Sequence, residues 1–267
     1  MRISFIGAGN MAGAIIRSAV SSGRVKSSFI TVCDINTEKC KEFEKLGANI
    51  ALSIPDAVLA SEIILLAVKP QDYDSVLSEI KNSGANCKEK LFISIAAAIS
   101  TKYICDSLGV DCPVVRVMPN TPLLLGVGAT AISRNSYVSD KEYSRICGLF
   151  AASGTVTSLD ESLMNNVISV NGSSPAYVYL LAKAMIDGGV QHGLDLKAST
   201  ELVFQTMRGS VEMLTKSGFS PEELIKMVAS PKGTTEAALK KFEELEFNNT
   251  VHEAMRACTK RAEEMKR

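Results

Sequence analysis

The chain has 267 residues, 46% of them hydrophobic, and its 29 lysines and arginines balance 29 acidic residues. That length and apolar share suit one large globular domain or two ordinary ones, and a net charge of zero leaves no basic field to gather nucleic acid or an anionic membrane surface. The seven cysteines (Cys33, Cys40, Cys87, Cys105, Cys112, Cys147 and Cys258) are odd in number and form no C-x-x-C pair, and His192 and His252 stand far from most of them, which disfavours a disulfide framework or a zinc site. No apolar run approaches the length that spans a bilayer. With the first apolar run opening by Ile3, no signal or transit segment is expected ahead of the fold. The expectation is a cytoplasmic protein with reduced thiols, no metal and a small-molecule partner.

The first twenty residues organise the chain. Ile3, Phe5 and Ile6 form a short apolar run that meets Gly7-Ala8-Gly9, and from Met11 apolar residues recur at helical spacing through Ile15, Ile16 and Val20. This is strand, glycine turn, helix. Gly7 allows a tight exit from the strand, Gly9 lets a diphosphate approach the backbone, and Ala12 or Gly13 permits close packing of helix on strand. The helix start then offers unpaired N–H groups and a positive dipole end to phosphate. Asp34 closes a second apolar run at the place where an acid for a ribose hydroxyl is expected. Ile6, Gly7, Ala8, Gly9, Asn10, Met11 and Asp34 are therefore candidate contacts for a nicotinamide dinucleotide.

Downstream, β-rich runs at Ile30–Cys33, Ile63–Val68, Leu91–Ile95, Val114–Val117 and Gly128–Ile132 alternate with helical segments, and Ala48–Ala51 reads as a further short strand. The fold class is α/β: an N-terminal Rossmann-type dinucleotide-binding domain over residues 1–159, followed by an all-α domain over residues 160–267. Pro175 opens a helix running through Tyr177, Leu180, Leu181, Ala184 and Met185 towards Gly188-Gly189. Leu196–Lys216 is a second helix, with Gly218 as its stop. Ser220-Pro221-Glu222-Glu223 is a capping box that starts a third. Glu236–Glu246 and Thr250–Lys266 complete the set, the last with its own box from Thr250 to Glu253. The apolar faces are broad for so short a segment, so helices of two chains are expected to interleave in a homodimer.

Three further stretches carry candidate chemistry. Ala67-Val68-Lys69-Pro70 leaves a buried strand at the carboxyl edge of the sheet, where its backbone can line a cofactor; Lys69 reads equally well as a solvated strand end. Arg116-Val117-Met118-Pro119-Asn120-Thr121-Pro122 leaves another strand, and the two prolines around Asn120-Thr121 rigidify a polar corner suited to a nicotinamide amide or the substrate, or to a purely structural turn. Ser230-Pro231-Lys232-Gly233-Thr234-Thr235 joins two helices, with Thr234 or Thr235 where an N-cap belongs. Hydroxyls and free N–H groups converge there on a site for a carboxylate. No Ser-His-Asp or Cys-His arrangement has local support, and hydride transfer needs no protein nucleophile.

Six segments in order, GAGNMAGAI (7–15), AVKPQ (67–71), RVMPNTP (116–122), GSSPAYVY (172–179), DGGVQHGL (187–194) and SPKGTT (230–235), give the chain a close resemblance to the pyrroline-5-carboxylate reductases over nearly its whole length. The resemblance implies reduction of a cyclic imine to L-proline by NADPH or NADH. It assigns the substrate carboxylate to Ser230, Gly233, Thr234 and Thr235, with Val228 nearby, and gives Thr235 the catalytic role of bonding the ring nitrogen. Val68, Lys69, Pro70, Met118, Pro119 and Asn120 then border the cofactor, and the C-terminal helices form a dimer that in some members assembles into rings. Lys232, Ser174 and Ala98 stand where that pattern carries glycine; Lys232 either folds over the anion or points to water. Asp34 favours NADH over a 2′-phosphorylated nucleotide, with Lys39 nearby. A β-hydroxyacid dehydrogenase is disfavoured because Tyr177, Val178 and Tyr179 occupy the region of that group's lysine. A non-catalytic nucleotide sensor is the alternative of another class.

Overall fold

The computed structural model describes residues 1–267. Eight strands, β1 (Ile3–Ile6), β2 (Ile30–Cys33), β3 (Asn49–Ile50), β4 (Ile63–Leu66), β5 (Leu91–Ser94), β6 (Val114–Met118), β7 (Gly128–Arg134) and β8 (Gly154–Ser158), form one sheet in the order β3-β2-β1-β4-β5-β6-β7-β8. Strands β1 to β6 run parallel; β7 is antiparallel to β6, and β8 is parallel to β7. The helices between them are α1 (Asn10–Ser21), α2 (Lys41–Lys45), α3 (Ile54–Ala60), α4 (Tyr73–Lys81), α5 (Thr101–Leu108) and α6 (Asp140–Ala151). Five more follow: α7 (Ser174–Gln191), α8 (Leu196–Lys216), α9 (Pro221–Val228), α10 (Thr234–Glu244) and α11 (Phe247–Glu264).

Strands β1, β2, β4 and β5 are buried along their whole length, as a parallel sheet covered on both faces requires. Side-chain alternation divides them between two cores. Ile3, Phe5, Val32, Leu65 and Ile93 pack with Ile15 and Ile16 of α1 and Phe150 of α6. Ile6, Ile64, Leu66 and Phe92 pack with Val58 of α3, Leu77 and Ile80 of α4 and Ile104 of α5. Sheet order reverses between β1 and β4, so the crevice at their carboxyl ends is the ligand position of an open α/β sheet.

The compact units divide elsewhere than at residues 159 and 160. The first comprises Met1–Ser173 with Cys258–Arg267, the second Ser174–Ala257. Hydrogen bonds to the sheet retain the intervening stretch. Glu161 accepts from the Thr101 N–H at 2.6 Å, and Asn171 Nδ2 donates to the main-chain carbonyls of Met118 (2.8 Å) and Ala129 (3.0 Å). Arg116, on β6 and 4% exposed, donates to Asn165 Oδ1 and lies 3.9 Å from Glu161; Asn165 in turn donates to Glu263 of α11 at 2.8 Å. Burial works against the Arg116 charge, and the Glu161 and Glu263 carboxylates counter it.

Other differences have equally local causes. Strand β8 carries no apolar run, because Gly154-Thr155-Val156-Thr157-Ser158 is an edge strand with three of its five residues exposed. Its register depends on Gly154, where φ is 137° and an added Cβ would stand 2.0 Å from the Gly128 carbonyl oxygen. The box expected at Thr250 does not form. Helix α11 starts earlier, at Phe247, so Thr250 lies inside it and its hydroxyl donates to the Glu246 carbonyl at 3.2 Å. Ser220 and Glu223 do form the reciprocal box at the start of α9. Helix α7 runs through Gly188-Gly189 to Gln191 and turns at Gly193, with φ of 92°.

Arg116→Leu removes the buried cation among these carboxylates and amides. Urea unfolding should show a loss of about 3 kcal/mol, the lower end for breaking a buried ion pair, since Glu161 keeps part of its solvent contact.

Candidate active site

Helix starts separate the places where this chain closes its backbone from those where it leaves it open. Helices α3, α5, α6, α8 and α9 start from an extended Ser or Asp (Ser53, Ser100, Ser139, Asp195, Ser220) whose side chain accepts a first-turn N–H. Helices α1 and α10 start from an extended glycine, Gly9 and Gly233, with no side-chain cap. Their first-turn N–H groups remain available to an anion.

At α1 the residues expected to meet a nucleotide come together at the β1–β4 crevice. Gly7 has φ of 102°, and a Cβ there would stand 2.8 Å from the Ala67 carbonyl oxygen and 3.1 Å from the Val68 nitrogen. The Gly7 N–H donates to Cys33 at 2.8 Å and that of Ala67 to Ile6 at 2.8 Å, so the turn is tied to β2 and β4 together. A Cβ on Gly9 would meet nothing within 4 Å, which leaves an open approach to the Asn10 and Met11 amides. This is the space a diphosphate needs, and the residues present fit a dinucleotide. Ala12 is buried, and a Cβ on Gly13 would lie 3.2 Å from Phe43, so both positions serve close packing.

Asp34 is half-buried at the end of β2. One carboxylate oxygen accepts the Ala8 N–H at 2.7 Å and the other the Asn36 N–H at 2.8 Å. Neighbouring Cys33 is held up to about 11 by burial, then by the charges of Cys40 and Asp34, and so stays a protonated thiol. Val68 and Pro70 are half-buried and Lys69 is exposed. Pro119 and Asn120 are buried beside half-buried Met118, and Asn120 Oδ1 accepts the Ala129 N–H at 2.9 Å. Asn120 thus spends a side-chain carbonyl lone pair on the sheet.

The loop residues belong to the second unit. Neither Thr234 nor Thr235 is the N-cap: Gly233 is, and the threonines are the first two residues of α10. A Cβ on Gly233 would stand 2.5 Å from Ser230 Oγ, so glycine keeps the serine hydroxyl against the helix start. Val228, the last residue of α9, is exposed. His192 follows the end of α7 and bonds the Gly188 carbonyl through Nδ1 at 2.6 Å. No group of three His, Cys, Asp or Glu side chains comes together as a metal site, and no helix is long and apolar enough to cross a membrane.

Sequence reasoning missed Asn171, which holds the Met118 and Ala129 carbonyls, and Glu161, Asn165 and Glu263 around Arg116. These act across long sequence separations and leave no periodic signal. Glu236, which accepts the Lys232 N–H at 2.7 Å, was also missed. Its signal was the spacing to a non-glycine residue at a glycine position.

A glycine turn at a sheet switch point, opening on an uncapped helix, defines a dinucleotide-binding α/β protein. Residues 2–98 match the family described as NADP oxidoreductase, coenzyme F420-dependent, and residues 161–265 match the pyrroline-5-carboxylate reductase dimerisation family. The chain is 35% identical to the pyrroline-5-carboxylate reductase of Escherichia coli K12 over 99% of its own length and 98% of that protein. The solved pyrroline-5-carboxylate reductase of Coxiella burnetii superposes with a TM-score of 0.91 at 31% identity, covering 100% of this chain and 98% of that one. The Plasmodium falciparum pyrroline carboxylate reductase, solved with NADP bound, gives 0.89 at 30% identity over 99% and 98%. The chain belongs to the pyrroline-5-carboxylate reductase family.

The two glycines of the turn should respond differently. Gly9→Ala has room in the protein, so its melting temperature should stay within about 2 °C of the parent while nucleotide affinity, read by fluorescence titration with NADH, falls about tenfold. Gly7→Ala should lose affinity and melting temperature together.

Proposed function

We propose that this chain reduces Δ1-pyrroline-5-carboxylate to L-proline with NADH or NADPH as hydride donor. The observation that carries the reading is the pair of glycine-started, uncapped helices: α1 offers its amides to a diphosphate, and α10 offers its own to a carboxylate, ringed by the hydroxyls of Ser230, Thr234 and Thr235. Family membership over the full chain supports it.

Bound NAD(P)H supplies a hydride to the electrophilic carbon of the protonated imine, whose C=N π electrons become the lone pair on the ring nitrogen. The chain's share is orientation. In this reading the Thr234 and Thr235 amides and the Ser230 hydroxyl hold the carboxylate, and Gly233 keeps Ser230 close. Val228 offers an apolar surface to the ring methylenes. The Thr235 hydroxyl orients the ring nitrogen. A pyrrolinium already carries its proton, so no strong general acid is needed, and proximity supplies most of the acceleration. On the nucleotide side Ile6 to Met11, Ala67 to Pro70 and Met118 to Asn120 line the cofactor. Asp34 sets a negative charge beside the adenosine ribose, which favours NADH over a 2′-phosphorylated nucleotide.

Self-association completes the reading. In the second unit Val178, Tyr179, Leu180, Leu202, Phe204, Val211 and Leu214 are exposed, whereas Ala182 and Val203 are its buried apolar residues. Apolar faces of this extent are covered by a second copy in a homodimer. All seven cysteines are unpaired and five are buried, which suits a reducing, cytoplasmic setting.

Nicotinamide absorbance followed with pyrroline-5-carboxylate and each nucleotide tests the activity. Turnover is expected, with higher kcat/KM for NADH; silence with both nucleotides would leave a sensor, and a large NADPH preference would overturn the role given to Asp34. Thr235→Ala should lower kcat/KM by about 1–3 kcal/mol of transition-state stabilisation, the scale of an oriented hydrogen bond to a charged group. Sedimentation at micromolar concentration should give a dimer or a ring of dimers. A monomer would remove the interleaved arrangement.

A further inference from the structure

The loop between α9 and α10 contains a residue in a backbone conformation that its side chain disfavours. Lys232 has φ of 60°, in the left-handed region that glycine adopts freely and other L-residues do not. Two hydrogen bonds define this tip. The Gly233 N–H donates back to the Ser230 carbonyl at 3.0 Å, and the Lys232 N–H donates to Glu236 Oε2 at 2.7 Å. Glu236 lies in the first turn of α10, and its other carboxylate oxygen is 3.6 Å from Lys240 Nζ. The carboxylate thus bridges the loop tip and the next turn of the helix, while no side chain caps the helix start itself.

We propose that Glu236 is a positioning residue of the substrate loop: by accepting the Lys232 N–H it latches Lys232 in the left-handed conformation that seats Gly233 on Ser230 and presents the Thr234 and Thr235 amides and hydroxyls to the substrate carboxylate. This rests on the reading of that loop as the carboxylate site. Glu236 touches no reacting atom, and its charge opposes an anion at the same helix start. The latch and the bare charge therefore predict opposite effects of removing it. Without the latch the loop relaxes away from its binding conformation and the substrate KM rises; without the charge alone, the KM falls.

Steady-state kinetics on the full-length chain separate these. Glu236→Ala should raise KM for pyrroline-5-carboxylate about tenfold, the scale of a lost charge-assisted hydrogen bond, with KM for the nucleotide unchanged. Glu236→Gln keeps an acceptor while losing the charge, so KM should stay at the parent value or fall below it. Adding Lys232→Gly to Glu236→Ala should restore KM to within about twofold of the parent, because glycine holds a positive φ without a latch. A merely structural loss in α10 is not rescued in this way, and circular dichroism melting confirms that each variant is folded. An unchanged or lowered KM in Glu236→Ala, or failure of the Lys232→Gly rescue, overturns the latch. A parent chain that does not turn over pyrroline-5-carboxylate overturns instead the reading of the loop on which the latch rests.

Discussion

The constraint on which the rest depends is that the first turn of an α-helix cannot satisfy its own N–H groups. Five helices meet it with a serine or aspartate side chain, and two leave it unmet behind a glycine. The unmet donors are useful only where the backbone around them is fixed, and both glycine starts are fixed by close contact. Gly7, just before the first, is pressed against Ala67 and Val68, and Gly233, at the second, is pressed against Ser230. On the proposed reading, a carboxylate and a diphosphate are met there by main-chain donors.

Close approach and positive φ account for much of the glycine pattern, and the exceptions are informative. Ala98 and Lys232 stand at positions where the family resemblance leads one to expect glycine, and their φ values are 63° and 60°. Each has local support. The Ala98 carbonyl accepts the Arg267 N–H at 2.9 Å, and the Arg267 carbonyl accepts the Ser100 N–H at 3.0 Å. Lys232 has Glu236. A left-handed alanine or lysine costs about 1–2 kcal/mol, comparable with what one or two such hydrogen bonds return.

What was legible in the sequence follows the same physics. Strands β1, β2, β4 and β5 are mostly apolar and buried along their whole length, and the turn at Gly7 lies between a strand and a helix, so one window of sequence shows the strand, turn and helix together. Gly154 and Gly128 meet only in the folded sheet, and β8, with Val156 as its one large apolar residue, has no apolar run to announce it. The Thr234 and Thr235 hydroxyls were rightly read as lying at a helix start, yet the cap fell one residue earlier, since residue type alone does not distinguish a Gly-Thr start from a Thr-capped one. The stretch from Glu161 to Asn171 reads as the beginning of the helical part by composition. It belongs with the sheet because of Arg116, Thr101 and two main-chain carbonyls far away in sequence.

The helical unit poses the remaining physical problem. Its helices α7 and α8 pack closely enough that a Cβ on Gly189 would stand 2.7 Å from Ser199 Oγ, yet its buried apolar residues are Ala182 and Val203. So small a core falls short of the conformational entropy of ordering α7 to α10, and the exposed faces must be covered for the unit to hold a fixed shape. On the proposed reading, the loop from Ser230 to Thr235 has to keep amides and hydroxyls within a fraction of an ångström of a carboxylate. Its precision is inherited from α9 and α10, which lack buried residues of their own. Covering the apolar faces and ordering the loop are therefore linked equilibria: whatever stabilises the associated state also raises the fraction of loops in the binding conformation. If the loop is the carboxylate site proposed above, the segment that matches the dimerisation family serves binding as well as assembly.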